Sequence, residues 1–242
     1  MCSFLDAGHE FHLYSFGEVQ NVPEGVVVRD AGDIIEDSID LSPFYEKKAW
    51  SALSNFFRYK IMSKKVGIWV DMDIICVTKF DFTDSEIFGR SGDKFINGAV
   101  LYIENEYLIR DLLSIFSVSK GLPPWLRKYS KHKRYAKLYA KNLFFGPLHI
   151  VDLPWGTSGP KGLTWMIEKH NLTTKAKEES TFYPLKMVDA DKAFDPEFDI
   201  QDILEDNTKT IHLWNNKIKH HRNKAPHSES YMGKLCKKYA LH

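Results

Sequence analysis

The sequence predicts an α/β fold, and three stretches carry that prediction. Gly67-Ile68-Trp69-Val70-Asp71-Met72-Asp73-Ile74-Ile75-Cys76-Val77 is a near-continuous apolar run of the kind found in strands covered on both faces. Phe95-Ile96-Asn97-Gly98-Ala99-Val100-Leu101-Tyr102-Ile103 reads as a second buried strand pairing near the first, with Asn97-Gly98 marking a bulge or a close backbone approach. From Pro43 to about Lys64 the period turns helical, with Ala49, Leu53, Phe57 and Ile61 spaced four apart along one inward face. With 242 residues, 43% hydrophobic and 27% charged, the chain fits one large α/β domain or two small ones. A single domain over 1–242, with a basic C-terminal tail over 217–242, is the expectation.

Taken in order, Phe11-His12-Leu13-Tyr14-Ser15 and Val26-Val27-Val28 are short strands separated by Gly17 and the Pro23-Glu24-Gly25 turn. In the first long helix Asn55 and Arg58 are three apart and project away from the apolar stripe, either onto a cleft or into solvent. Leu108 to Ser117 is a further helix, broken at Gly121-Leu122-Pro123-Pro124. No Asp or Glu occurs from Leu112 to Val151, where Arg127, Lys128, Lys131, Lys133, Arg134, Lys137 and Lys141 mix with Trp125, Tyr129, Tyr135 and Tyr139. That composition suits a solvated helix, or contact with a phosphate-bearing acceptor or anionic lipid, the last as weak peripheral membrane contact through 125–141. Gly156-Thr157-Ser158-Gly159-Pro160 feeds a helix continuing from Leu163 to His170, and the N-H groups at such an end bind anions. Phe182-Tyr183-Pro184-Leu185 is expected to be extended. Thr210-Ile211-His212-Leu213-Trp214 is a late strand with His212 and Trp214 on one side. His220-His221, in the basic C-terminal stretch, suggests nothing beyond solvation.

Composition excludes several classes of function. A net charge of +1 gives no global field for nucleic acid or membrane. The three cysteines Cys2, Cys76 and Cys236 form no C-x-x-C pair, and Cys76 reads as a small core residue in a reducing compartment. No apolar run reaches the roughly 18 residues of a membrane helix, and the start of the chain lacks the pattern of a signal peptide. The expected location is cytoplasmic, peripheral at most to the inner face of a membrane. Asn171-Leu172-Thr173 matches a glycosylation acceptor only formally.

Asp71 and Asp73 are the chemical focus. At i and i+2 of a strand both carboxylates face one side; alternatively they flank a bend where the strand ends, or sit in a solvated loop. Buried together they demand a cation, a hydrogen-bond network or shifted pKa values. Hard oxygen ligands suit Mg²⁺ or Mn²⁺, which keep positions open for substrate phosphates.

Several motifs in order resemble one family. They are Ala7-Gly8-His9-Glu10 with His12-Leu13-Tyr14, Pro23-Glu24-Gly25-Val26, Asn55-Phe56-Phe57-Arg58-Tyr59, Gly67-Ile68-Trp69-Val70-Asp71-Met72-Asp73, Ile96-Asn97-Gly98-Ala99, Gly159-Pro160, Phe182-Tyr183-Pro184 and Ile211-His212-Leu213-Trp214-Asn215. The series is similar to the glycosyltransferases with a DxD-containing sugar-binding region, related to yeast initiating mannosyltransferases and α-1,4-glycosyltransferases and abundant in bacteria, with roles such as polysaccharide biosynthesis. The resemblance implies a GT-A-like fold, a single mixed sheet flanked by helices. It implies a UDP- or GDP-hexose donor, a glycan, lipid or protein acceptor, and Mn²⁺ or Mg²⁺ bridging the donor diphosphate. Asp71 and Asp73 would be catalytic. Asp73 would ligate the metal directly, with His212 completing or flanking the shell. Asn55, Arg58, Asp71, Asn97, Gly98, Trp214 and Asn215 would bind the donor, Trp214 and Asn215 by closing over the diphosphate. Transfer would proceed with retention, and no enzymic nucleophile is assigned.

The chain departs from the family at Asn55, where Asp is usual, at Val66, where Gly is typical, and at its front, where a first strand and a Trp-containing loop normally precede Ala7. That short front predicts reduced stability and weak, base-tolerant nucleotide binding. Two other functions compete with glycosyl transfer. A haloacid-dehalogenase-like phosphatase also places D-x-D after an apolar strand, but wants Thr or Val where Ile75 stands. An inactive glycosyltransferase-like protein that only binds nucleotide, glycan or a partner is the other.

Overall fold

The computed structural model describes residues 1–36, 39–117 and 122–240. Gly121, expected at a helix break, lies outside them. In order, the elements are α1 (Cys2–Asp6), β1 (Phe11–Ser15), β2 (Val26–Asp30), α2 (Ser42–Glu46), α3 (Trp50–Ser63), β3 (Trp69–Val70), β4 (Ile74–Cys76), β5 (Glu86–Ser91), β6 (Phe95–Ile103), α4 (Glu106–Ser114), α5 (Pro124–Tyr129), α6 (His132–Phe145), α7 (Pro160–Lys169), α8 (Glu179–Phe182), β7 (Thr210–His212) and α9 (Tyr231–Lys238), joined in places by 3-10 turns. The class is mixed α/β, but among the described residues the expected single sheet is replaced by three small ones, ordered β1-β2, β3-β6-β5 and β4-β7. The cause is local. A turn at Met72-Asp73 divides the apolar run around the two aspartates, so the strands on either side of it join different sheets. The run is also less covered than its composition suggests, since Gly67 and Val77 are exposed and Trp69 and Val70 only half-buried.

Contacts divide the chain into two compact units, one of Met1–Arg29, Val70–Phe82 and Glu178–His242, the other of Asp30–Trp69 and Thr83–Lys177.

In the second unit, β6 has the bounds its pattern predicts and carries Ile96, Ala99, Val100, Leu101 and Ile103 into the core. Its antiparallel partner β5 slips register between Ile87 and Gly89, which leaves extra residues from Gly98 onward on the β6 side. α4 packs Leu108, Ile109 and Leu112 inward and starts with Asn105 accepting from the Leu108 amide at 3.0 Å. α7 begins with Pro160 at its first turn, and Thr164 on it accepts from the Ile96 amide at 2.9 Å. The helix expected over 43–64 is two helices, because Lys48 takes a left-handed φ of 49° between α2 and α3. α3 then buries more than one stripe: Asn55 and Arg58, placed on its outer side by periodicity, are each only 6% exposed.

The basic aromatic stretch also separates into two parts. Trp125 and Leu126 on α5 are core residues, with the Trp125 indole N-H donating to the Thr157 carbonyl at 2.9 Å, whereas α6 has no buried residue.

In the first unit, Phe4 of α1 packs against Phe11 and Phe80, and His9 Nε2 accepts from the Phe80 amide at 2.9 Å. A second cluster gathers Leu185, Ala190, Ala193, Ile200, Ile211, Leu213 and Ile218. Phe182 closes the short helix α8 rather than starting an extended segment, and its carbonyl accepts from the Thr210 hydroxyl at 2.8 Å. The stretch after Lys217 includes α9, whose N-cap Ser230 accepts from the Gly233 amide at 3.1 Å. Among the described residues no helix is long and apolar enough to cross a membrane.

Candidate functional site

The turn at the two aspartates is fixed by backbone pairing. The Ile74 amide donates to the Asp71 carbonyl at 3.1 Å, and the Leu213 amide donates to the Asp73 carbonyl at 2.9 Å. β4 and β7 pair antiparallel with Ile74 opposite His212, which brings the His212 side chain to the carboxylate one residue before Ile74. His212 Nε2 lies 3.2 Å from Asp73 Oδ2, and the Asn215 amide donates to the same oxygen at 2.8 Å. Burial pushes the Asp73 carboxyl up, but the contacts with His212 and the Asn215 amide outweigh it and hold the group below the usual carboxylate range. Asp73 is therefore ionised at neutral pH.

Trp214 leaves the strand with a left-handed φ of 54°. Its ring stacks on His212 at 3.9 Å between centroids, and its indole N-H donates to the Leu185 carbonyl at 2.7 Å. The side expected to be shared by His212 and Trp214 is thus a stacked pair. Nδ1 of His212 is buried with no hydrogen-bond partner among the described residues, and Nε2 faces Asp73, where it donates when it carries the ring proton and could ligate an ion when it does not. Asn215 is held in turn through its side-chain oxygen, which accepts from Arg222 at 3.0 Å.

This donor set fits a divalent ion. Ligands about 2.1 Å from an octahedral ion stand about 3.0 Å apart, close to the 3.2 Å between Asp73 Oδ2 and His212 Nε2. Asp71 is half-buried and is not gathered with Asp73 and His212 into a three-ligand cluster among the described residues. An ion here would therefore draw its remaining ligands from water and substrate oxygens.

The second unit assembles a different set of the expected residues. Asn55 Nδ2 donates to the Ser158 hydroxyl at 3.2 Å, and the Tyr59 hydroxyl donates to the Ser158 carbonyl at 2.9 Å. The Arg58 guanidinium lies over the Trp69 ring, 5.2 Å from its centroid. Gly98 leaves room beside it, since a Cβ there would stand 2.5 Å from Arg58 Nη1 and displace the end of that side chain; a Cβ on Gly159 would likewise press Asn55 Nδ2 at 3.0 Å. Asn97 turns its side-chain oxygen back onto the Ala99 amide at 3.0 Å. Asn97-Gly98 is thus both a register irregularity and a close approach. The sequence does not mark Ser158 or Arg222 as a site residue. Ser158 had a signal, since it lies between glycines ahead of Pro160; Arg222 had none, being one basic residue in a basic stretch.

Residues 18–89 match the family described as the glycosyltransferase sugar-binding region containing a DXD motif. The matched span includes Asn55, Arg58, Asp71 and Asp73, and ends before His212, Trp214 and Asn215. No curated protein and no solved structure matches the chain. The family points to glycosyl transfer or a sugar-binding role, implies a nucleotide-sugar donor and an acceptor, and typically uses a divalent metal. The family that the ordered motifs resemble is the family that residues 18–89 match.

Proposed function

We propose that the chain is a metal-dependent glycosyltransferase with a GT-A-like fold, moving a hexose from UDP or GDP to a glycan, lipid or protein acceptor with retention. The observation that carries this reading is the ionised Asp73 carboxylate, fastened by the Asn215 amide and His212 within the matched motif's own turn. Asp73 is the direct ligand for Mn²⁺ or Mg²⁺, and His212 completes or flanks the shell. When bound, the ion acts as a Lewis acid that stabilises charge on the departing diphosphate. Asp71 holds ribose or sugar hydroxyls, Trp214 and Asn215 cover the diphosphate, and Asn55, Arg58, Asn97 and Gly98 serve the donor. For Asn55 and Arg58 burial favours positioning over direct contact, since both side chains are engaged within their own unit.

Calorimetry with UDP and GDP, with and without Mn²⁺, tests the reading. Metal-dependent binding is expected, and Asp73→Ala should weaken it by about tenfold or more, a larger loss than Asp71→Ala produces. Unchanged metal-dependent binding in the Asp73 variant would sink the assignment. A panel of nucleotide sugars then separates an enzyme from a binding protein, because only the enzyme turns one over.

Peripheral membrane contact through 125–141 has one observation in its favour, and it shifts the contact along the chain. Leu143, Phe144 and Phe145 at the end of α6 are 67%, 76% and 82% exposed, beyond a helix rich in Lys and Arg.

A further inference from the structure

We propose that Asp191, His220 and His221 form a second metal site, selective for a first-row transition ion of the zinc class. Asp191 lies in the 3-10 turn Met187–Phe194, and the two histidines lie in the 3-10 turn Lys219–His221. Asp191 Oδ1 is 3.1 Å from Nε2 of His220 and 3.1 Å from Nε2 of His221. All three ligand atoms lie within 4.8 Å of one another, and no other trio of His, Cys, Asp or Glu among the described residues meets that condition.

Adjacent residues on a 3-10 turn normally diverge by about 120°, yet here both imidazoles converge on one oxygen. The His221 ring is pinned flat on Phe194, with centroids 3.9 Å apart and planes within 2°, and the two imidazole centroids are 4.1 Å apart. Ligands bonded to zinc at about 2.1 Å stand about 3.0 Å apart at right angles and about 3.4 Å apart in a tetrahedron. The observed 3.1 Å separations fall in that interval. Two imidazole nitrogens and one carboxylate oxygen select Zn²⁺, Co²⁺, Ni²⁺ or Cu²⁺ over Mg²⁺ and Ca²⁺, which prefer oxygen alone. Two of the neighbouring cations are directed elsewhere: Lys192 pairs with Asp189 at 2.9 Å, and Arg222 donates to Asn215.

An ion here would tie the turn 187–194 to the segment that ends at Arg222. Because Arg222 holds Asn215, and the Asn215 amide holds Asp73, the clamp would steady the residues that fix that carboxylate. The site itself does not depend on glycosyl transfer.

Titration of the metal-free full chain with Co²⁺, read by its visible absorption, and with Zn²⁺, read by calorimetry and thermal unfolding, tests the proposal. Expected are one bound equivalent of each ion that survives Asp73→Asn, a rise in melting temperature with Zn²⁺, and binding weakened about tenfold or more by His220→Ala, His221→Ala or Asp191→Asn. His220 and Asp191 are mostly exposed, so those two variants should fold. Binding that is unchanged in these variants, or that is lost only with Asp73, would overturn the proposal. So would failure of the unaltered chain to bind Co²⁺ or Zn²⁺, a result that leaves the glycosyltransferase reading untouched.

Discussion

α3 and α6 are both 14 residues long, and they use their side chains in opposite ways. α3 buries Leu53, Asn55, Phe56, Phe57, Arg58, Tyr59, Ile61 and Met62, charged and polar residues included. α6 buries none, though it carries three tyrosine or leucine residues on one side and ends in Leu-Phe-Phe. Helical burial in this protein therefore follows available partners and not the polarity of the residue. Asn55 is buried because Ser158 receives its amide, and Arg58 because Trp69 lies under its guanidinium and Gly98 leaves room. Phe144 and Phe145 are exposed because no described element covers them.

The largest effect expected from this contrast is at Phe56, which packs between Phe44 and Phe116 with ring centroids 6.2 Å and 5.0 Å away. Phe56→Ala should cost about 3 to 5 kcal/mol in chemical unfolding. A cost under about 1 kcal/mol would mean that α3 is not the buried helix described.

A smaller effect is expected at Tyr59, which is fully buried and whose hydroxyl has the Ser158 carbonyl as partner. Tyr59→Phe removes the donor and leaves that carbonyl short of one bond, at a cost of about 1 kcal/mol. The same substitution should loosen the Ser158 loop, seen as faster amide exchange around Thr157 and Ser158. Exchange there at the original rate would show that the loop is fixed without Tyr59.

The smallest effect on stability is expected on α6. Replacing Leu143, Phe144 and Phe145 together with Ser should change unfolding free energy by no more than about 0.5 kcal/mol per site, as for other exposed positions. Binding to vesicles of anionic lipid should fall in the same variant if this end of α6 meets a membrane. Destabilisation on the scale of Phe56→Ala would erase the difference between the two helices.

Local patterns were legible where local physics decides. The run Phe95–Ile103 is a strand with the predicted bounds because nine residues of matching pattern leave little choice, and Pro160 starts α7 because its fixed φ and missing N-H suit a first turn. Asn97-Gly98 announced a close approach, but not that Arg58 makes it. At the two aspartates the residues left a continued strand, a bend or a loop all open. The bend prevails because Ile74 pairs through β7 and Trp69 belongs with β6, and no window of sequence contains both partners.

The sequence by itself determined the α/β class, the positions of β1, β6, α7 and β7, and the motif order that led to the matched family. Periodicity, caps and turn residues act over a few positions, so they can be read in place. Only the tertiary structure decided that three small sheets replace one, that Asn55 and Arg58 are buried, and that Trp125 is core while α6 is bare. It alone joined Asp73 to His212, 139 residues on, and Asp191 to His221, 30 residues on. Each of these is a pairing between distant segments, set by which surfaces meet when the chain collapses and by which buried polar groups then find a partner.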